Sequence, residues 1–309
     1  MRILRHPRGA GPDTALAIGS FDGVHRGHAA LMARLVAEAR ARELESAILT
    51  FEPLPREFFS PATAPPRLTS MRERLSEMRR LGVDRAFLQR FNAEFAAIEP
   101  RDFERRLRAA YGARWVLVGE DFRYGASRAG DVARLVEAGR REGYEVRLLP
   151  AIVEGTGRIS STRVREALAE GDLALAARLL GRPYSITGRV VHGAKRGRVL
   201  GFPTANVSLG RARPALQGVF AVKCFGAATR GLEGVASLGI NPAVKDGGPA
   251  TLEAFLFDFS GDLYGRRLRI EFLGKLRDEA HFASLEELAA QIRRDCDAAR
   301  GFFATAGNG

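Results

Sequence analysis

Between residues 15 and 149, short apolar runs alternate with longer stretches in which apolar side chains return every three or four positions. The short runs are 15–19, 47–51, 85–88, 115–118 and 145–149; the stretches of helical period are 28–42, 70–81, 100–110 and 132–142. This alternation predicts βαβ units, and so an α/β doubly wound parallel sheet with helices on both faces. Two more helical pieces, 161–169 and 173–180, precede the sequence G-R-P-Y at Gly181–Tyr184, which breaks the pattern. Beyond it the apolar runs 185–192, 218–225, 234–240, 251–257 and 267–272 are separated by Gly, Pro and Asp. They predict a small antiparallel β-barrel, with a C-terminal helix over 285–300 to pack on it or close one end. The expected domains are therefore 1–182 and 183–309.

Composition agrees with two folded domains: 309 residues, 46% hydrophobic and 27% charged. No stretch approaches the roughly 18–20 apolar residues of a membrane span. The first arginines are followed by Pro, Gly and Asp instead of an apolar segment, so no secretory leader is expected and the cytoplasm is the expected compartment. Cys224 and Cys296 are too few for a disulfide framework and read as reduced, structural residues. Trp115 opens an apolar strand and should anchor core, while His6, His192 and His281 are isolated and read as structural or solvated. The net charge of +12 invites a nucleic-acid reading, but the chain has only Lys195, Lys223, Lys245 and Lys275, and its arginines are interleaved with Glu on helical segments. Such a surface also steers anionic nucleotides, so motifs must decide.

The run Gly19-Ser20-Phe21-Asp22-Gly23-Val24-His25-Arg26-Gly27-His28 joins the first expected strand to the first helix. A helix N-terminus at the carboxyl edge of a parallel sheet binds phosphate through its backbone N–H groups and its dipole. Gly23 and Gly27 let backbone approach a ligand closely, and His25 and His28 can project toward one anion, stabilising charge at a phosphorus under attack. A plain cap with two surface histidines would explain a lone H-x-G-H, but the full ten-residue run at this junction favours a phosphate site. A second run, Ile159-Ser160-Ser161-Thr162-Arg163-Val164-Arg165, opens another helix. Ser161 and Thr162 offer donors at its cap, and Arg165 lies one turn on, where it can reach phosphate; alone, this run would read as an ordinary cap.

Together these runs resemble the HxGH nucleotidyltransferase superfamily. Class I aminoacyl-tRNA synthetases share the first signature but carry a lysine-rich K-M-S-K-S loop, and I-S-S-T-R-V-R has no lysine. With L-T-F-E-P-L-P-R-E at 49–57 and V-G-E-D-F-R-Y-G at 118–125, the first part is similar to the FMN adenylyltransferase module of bacterial bifunctional FAD synthetases over nearly all of residues 14–182. Leu54 departs from that family's usual histidine. The resemblance implies that FMN phosphate attacks the α-phosphorus of ATP with release of pyrophosphate, assisted by Mg²⁺. It implies that His25 and His28 hold the ATP phosphates within the Gly19, Phe21 and Gly27 turn, that Asp22 sits near metal and phosphates, and that Ser161, Thr162 and Arg165 fix the triphosphate end. Asn92 and Asp121 would line the flavin or adenine side.

In the second half, Gly193-Ala194-Lys195-Arg196-Gly197-Arg198-Val199-Leu200-Gly201-Phe202-Pro203-Thr204-Ala205-Asn206 fails as a Walker loop, because the second Gly is not followed by Lys and Ser/Thr. A glycine-rich loop running into P-T-A-N instead resembles the riboflavin kinase signature. That resemblance implies that Gly193, Lys195, Gly197, Gly201 and Pro203 belong to a loop around the ATP phosphates, with Thr204 and Asn206 oxygens on Mg²⁺. Downstream, Glu253 shares a strand face with Phe255 and Phe257, which makes it a solvated edge residue or a tuned base. Its place in T-L-E-A-F-L-F-D-F-S-G-D-L-Y-G matches the kinase family's catalytic glutamate, implied to take the proton of the flavin 5′-hydroxyl. L-R-D-E-A-H-F-A-S-L-E-E-L at 276–288 also fits, whereas Asn241-Pro242-Ala243-Val244 stands where the family commonly reads P-T-F.

The expectation is a cytoplasmic enzyme converting riboflavin to FMN and FMN to FAD. Its partners would be riboflavin, FMN, FAD and ATP with Mg²⁺, with no nucleic acid or membrane, as a monomer or weak homo-oligomer. One rival is a basic RNA-binding protein on a nucleotidyltransferase fold, supported by charge and H-x-G-H alone. The other keeps one module active and the second degenerate, motivated by Leu54 and the N-P-A-V segment.

Overall fold

The protein is described here by a computed structural model of residues 1–5, 11–155, 157–193, 201–211, 213–240 and 250–306. The chain divides into two compact units, Met1–Pro65 with Met71–Ser160, and Pro66–Ser70 with Ser161–Gly309.

The first unit contains strands β1 (Arg2–Leu4), β2 (Thr14–Ile18), β3 (Glu45–Glu52), β4 (Arg85–Arg90), β5 (Ala113–Gly119) and β6 (Glu145–Leu149). They form a six-stranded sheet in the order β1-β4-β3-β2-β5-β6, and every pairing is parallel. Between them run α1 (Arg26–Ala41), α2 (Pro55–Phe59), α3 (Met71–Arg80), α4 (Ala93–Ala96), α5 (Pro100–Ala109) and α6 (Val132–Glu142). Strand β2, T-A-L-A-I, is buried at every position, as a strand covered on both faces must be. On one face Leu31, Met32 and Leu35 of α1 pack with Trp115, Ile48 and Ala17; on the other, Phe103 and Leu107 of α5 and Leu135 of α6 pack with Leu16, Leu49 and Val116. A short antiparallel hairpin, β7 (Val153–Glu154) and β8 (Gly157–Arg158), ends this unit.

In the second unit, α7 (Ser161–Glu170) and α8 (Leu173–Leu180) lead into β9 (Ser185–Val191), β10 (Ala205–Val207), β11 (Gly218–Phe225), β12 (Leu232–Ile240), β13 (Ala250–Leu256) and β14 (Arg267–Arg277). These six strands close an antiparallel barrel, β10-β13-β12-β11-β14-β9, and α9 (Leu285–Ala306) packs against β11, β12 and β14. Alternation decides which side chains fill it. Along β13, Leu252, Ala254 and Leu256 are buried, while Thr251, Glu253 and Phe255 are exposed or half-buried on the opposite face.

Both predicted architectures are present, and Trp115 is core. Cys224 and Cys296 are free and buried; burial pushes the Cys224 thiol up to about 12 and Cys296 to about 11, so neither is a thiolate nucleophile at neutral pH. The sequence pattern does not predict β1, β10 or the β7–β8 hairpin, each three residues or shorter. The compact division also differs from the expected 182/183, falling instead at 160/161. The reason is packing: α7 and α8 pack on each other and α8 on β14, with Ala176, Leu179 and Leu180 buried. Segment 66–70 joins the same unit through Arg211, which donates to the Leu68 carbonyl and to Tyr184 Oη (3.0 Å), and through Arg165, whose Nε donates to the Pro66 carbonyl (2.6 Å). His6, Lys195, Gly197 and 241–244 lie outside the described residues.

A fragment beginning at Ser161 should therefore be more stable than one beginning at Pro183, by about 3–6 kcal/mol for the buried Leu179 and Leu180 of α8. Thermal unfolding followed by circular dichroism measures the difference; equal midpoints would mean that the two helices contribute nothing to the barrel unit.

Candidate functional sites

The order of the parallel sheet reverses at β2, whose neighbours are β3 and β5. At such a switch point, strand connections leave in opposite directions and open a crevice at the carboxyl edge. The turn that follows β2 occupies this place. Phe21, Gly23 and Val24 have φ of 51, 83 and 42°. Left-handed backbone costs about 1–3 kcal/mol at a residue such as Phe or β-branched Val, so surrounding groups must hold it. Arg74 of α3, fully buried, does so: its Nη1 donates to the Ser20 carbonyl (2.9 Å), and its Nη2 donates to the Phe51 carbonyl (3.1 Å) and the Glu52 carboxylate (3.0 Å). The Thr50 hydroxyl donates to the same Ser20 carbonyl (3.3 Å).

His25 is the N-cap of α1, its Nδ1 accepting the His28 N–H at 3.3 Å. The two imidazoles stack with centroids 3.6 Å apart, and Phe21 meets His28 edge-on at 5.1 Å. Gly27 permits the stack, since a Cβ there would stand 3.1 Å from the His25 ring. Burial, then the neighbouring His25 and Arg158, hold the His28 imidazole well below the ordinary histidine range, and its Nδ1 is buried without a hydrogen-bond partner. A neutral imidazole with an unused polar atom beside a helix N-terminus is stabilised when a hydrogen-bonding ligand arrives. Gly19, Phe21, Asp22, His25, Gly27 and His28 thus lie in one turn, with Asp22 buried. The Ile159 carbonyl lies 3.8 Å from the same Gly27 Cβ position, which puts the start of the second motif beside the first.

Neighbouring strand ends supply the flanks. Asp121, just past β5, pairs with Arg158 of β8 at 3.3 Å, and Glu154 of β7 pairs with Arg26. On the β3 and β4 side, Phe51, Phe58, Phe59, Phe91 and Phe95 meet edge-on or tilted at 5.2–5.8 Å, and Phe59 is 63% exposed. Asn92 lies beside this cluster, but its side chain already caps α4 by accepting the Phe95 N–H at 2.9 Å. Leu54 is buried, so its position serves packing. Ser161 and Thr162 are the first two residues of α7 in the second unit, where Arg165 engages the Pro66 carbonyl. Sequence reasoning missed Arg74, which no pattern separates from Arg72, Arg79 and Arg80 of the same helix. It also missed Arg158, although Arg158 directly precedes the second motif.

On the barrel, Asn206 stands opposite Glu253, and Glu253 opposite Ser237, in one row across β10, β13 and β12. Directly opposed residues share a face; here it is the outer one, where Phe255 packs with Phe202 at 5.5 Å. The Thr204 hydroxyl donates to Glu253 Oε2 at 3.1 Å, and a Cβ on Gly193 would overlap the Asn206 amide. Thr204, Asn206, Glu253 and Gly193 are therefore together, Gly201 and Pro203 are exposed just before them, and Glu253 is half-buried between polar and aromatic neighbours. Three hard oxygen donor groups, Thr204 just before β10, Asn206 on it and Glu253 on β13, suit Mg²⁺. His192, expected to be isolated, instead packs at a tilt against the Tyr264 ring with centroids 4.0 Å apart.

Residues 9–163 match the FAD synthetase family and residues 180–303 the riboflavin kinase family. The chain is 46% identical to the bifunctional riboflavin kinase/FMN adenylyltransferase of Escherichia coli, covering 93% of this chain and 92% of that one. Against the protein of the same description from Haemophilus influenzae it is 40% identical, covering 94% of each. Among solved structures, it is similar to one described as a macrolide-efflux protein from Streptococcus pneumoniae, with a TM-score of 0.79 and 29% identity over 96% of this chain and 98% of that one. Among the described residues no helix is long and apolar enough to cross a membrane.

The His28 environment sets a sign for pH dependence. The ordinary value is 6.5 and the folded value lies below it, so as pH falls through this window the unfolded chain takes a proton that the native one refuses, and stability drops. His28→Asn should flatten the decline of unfolding free energy between about pH 7 and about pH 5, read from urea unfolding at each pH. Parallel curves for the two proteins would show that His28 is not held neutral.

Proposed function

The chain belongs to the bifunctional riboflavin kinase/FMN adenylyltransferase family, and from that membership we propose which residues carry each reaction. The protein is an enzyme with both activities. The observation that supports the assignment is the presence of two separately built groups of candidate residues: a strained turn with stacked histidines at a parallel-sheet switch point, and an Asn–Glu row on a barrel.

In the first, the ATP phosphates lie at the N-terminus of α1, with His25 and His28 donating to them and Asp22 beside them. An FMN phosphate oxygen attacks the α-phosphorus, the bond to the bridging oxygen breaks, and pyrophosphate leaves with the electron pair. No protein group needs to form a bond; the chain supplies placement and charge stabilisation. The flavin ring stacks at the exposed Phe59 cluster, about two strand spacings, or ~10 Å, from β2, with Asn92 beside it; Asp121 and Arg158 flank the phosphates on the β5 side. Ser161, Thr162 and Arg165 hold the triphosphate end.

In the second, Glu253 takes the proton of the riboflavin 5′-hydroxyl as its oxygen attacks the γ-phosphorus and ADP leaves. Gly193, Lys195, Gly197, Gly201 and Pro203 are assigned to the ATP phosphates. Thr204 and Asn206 would hold Mg²⁺, which neutralises phosphate charge when bound. We assign 1–182 and 183–309 as the functional domains, supported by family matches that end at 163 and resume at 180. The same reading places the protein in the cytoplasm, as a monomer or weak homo-oligomer without nucleic-acid or membrane partners; many of its arginines are already paired with Asp or Glu.

Chromatography of flavins after incubation with riboflavin, ATP and Mg²⁺ should show FMN and then FAD. His28→Ala should slow FAD formation by ~10²–10³ and leave riboflavin phosphorylation near normal. Glu253→Gln should slow phosphorylation by ~10²–10⁴ while adenylylating supplied FMN. If both reactions fell together in a folded variant, the two-site assignment would be wrong.

A further inference from the structure

The polar row on the barrel does not end at Glu253. Ser237 stands directly opposite it on β12, and the Ser237 hydroxyl donates to Glu279 Oε1 at 3.2 Å. Glu279 therefore brings a second carboxylate to Ser237, over Gly239 of the same strand. Its placement is built. Arg277, at the end of β14, is tied to buried Asp295 of α9 through Nε (2.9 Å) and Nη2 (2.8 Å), and its Nη1 donates to the Asp278 carbonyl (2.8 Å). Lys275 pairs with the Asp278 carboxylate at 2.6 Å. These contacts anchor the residue just before Glu279. On the receiving side, Gly239 of β12 has no side chain where one would meet the Glu279 carboxylate; any Cβ there would overlap it.

We propose that Glu279 is a substrate-positioning residue of the kinase site, accepting hydrogen bonds from the secondary hydroxyls of the ribityl chain so that the terminal one is presented to Glu253. This rests on assigning the Asn206–Glu253 row to riboflavin phosphorylation. The chemistry argues for it on two grounds. A flavin is a flat apolar ring carrying a chain of hydroxyls, and the surroundings of Glu253 present that division: Phe255, next on the same face of β13, packs with Phe202, while Ser237 and its partner Glu279 lie across on the β12 side. Only one of several similar hydroxyls is phosphorylated, so the others need acceptors at fixed distance from the base. An ionised carboxylate, with about four acceptor sites and no donor, binds neighbouring hydroxyls more strongly than a neutral group does.

Glu279→Gln keeps the shape and removes the charge. In the full-length protein it should raise the KM for riboflavin about ten-fold with kcat changed less than about three-fold, the pattern of lost substrate binding. Lumiflavin has the same ring with a methyl in place of the ribityl chain; its inhibition constant should move less than about two-fold, because the lost interaction is with the chain. Gly239→Ala, which displaces the Glu279 carboxylate without altering it, should reproduce both results, and thermal unfolding confirms that each variant is folded. Equal weakening of riboflavin and lumiflavin, a fall in kcat at unchanged KM, or no change at all would overturn the proposal. Absence of riboflavin turnover in the wild type would overturn it together with the kinase reading, whereas normal turnover with an unmoved KM in Glu279→Gln refutes Glu279 alone.

Discussion

Burying a guanidinium costs several kcal/mol unless its donors find strong acceptors, and Arg74 finds them at the ends of two adjacent strands. One of its nitrogens takes the carbonyl of Ser20, after β2; another takes the carbonyl of Phe51 and the carboxylate of Glu52, at the end of β3. This charge fastens two parts of the first site to each other. On one side lies the turn in which Phe21 and Val24 accept left-handed backbone and His25 caps α1. On the other, Phe51 begins the aromatic cluster that reaches solvent at Phe59. Replacement by an apolar residue would leave three acceptors to be satisfied again and would release the strained turn.

A different constraint governs the barrel. There the inner face is closed by Leu252, Ala254 and Leu256, so the polar row gathers on the outer face, where a side chain in water gains little from a single hydrogen bond. The fold compensates by covering that face. Phe202, Phe255 and Phe257 pack with residues of α9 beside the row, and missing side chains at Gly193 and Gly239 let Asn206 and Glu279 lie close to the backbone. Glu253 consequently has polar neighbours on two strands and aromatic ones along its own.

The two units also differ in how they are bounded. Helices α7 and α8 continue the helical rhythm of the first unit but spend their apolar faces on each other and on β14. The second motif is thus divided: Ile159 and Ser160 belong to the first unit, where the Ile159 carbonyl lies beside Gly27, and the rest opens α7 in the barrel's unit. Compactness and family resemblance therefore divide the chain at different points.

Period and motif made the parallel sheet, the barrel and both groups of candidate residues legible in the sequence, because strand and helix spacing and consecutive motif residues are local properties. Gly19 through His28 could be read as one turn for the same reason, as could Pro203 through Asn206. Local order could not disclose that His28 is held neutral, since that follows from burial and from Arg158, distant in the chain. Nor could it separate Arg74 from its helical neighbours, because only the strand order β3-β2 brings Ser20 and Phe51 to one guanidinium. Ser237 and Glu279 belong to the same class. Their meeting depends on the register of β12 with β13 and on the anchoring of Arg277 to Asp295, and long-range pairing of that kind is decided by the closed fold, not by the spacing of residues along the chain.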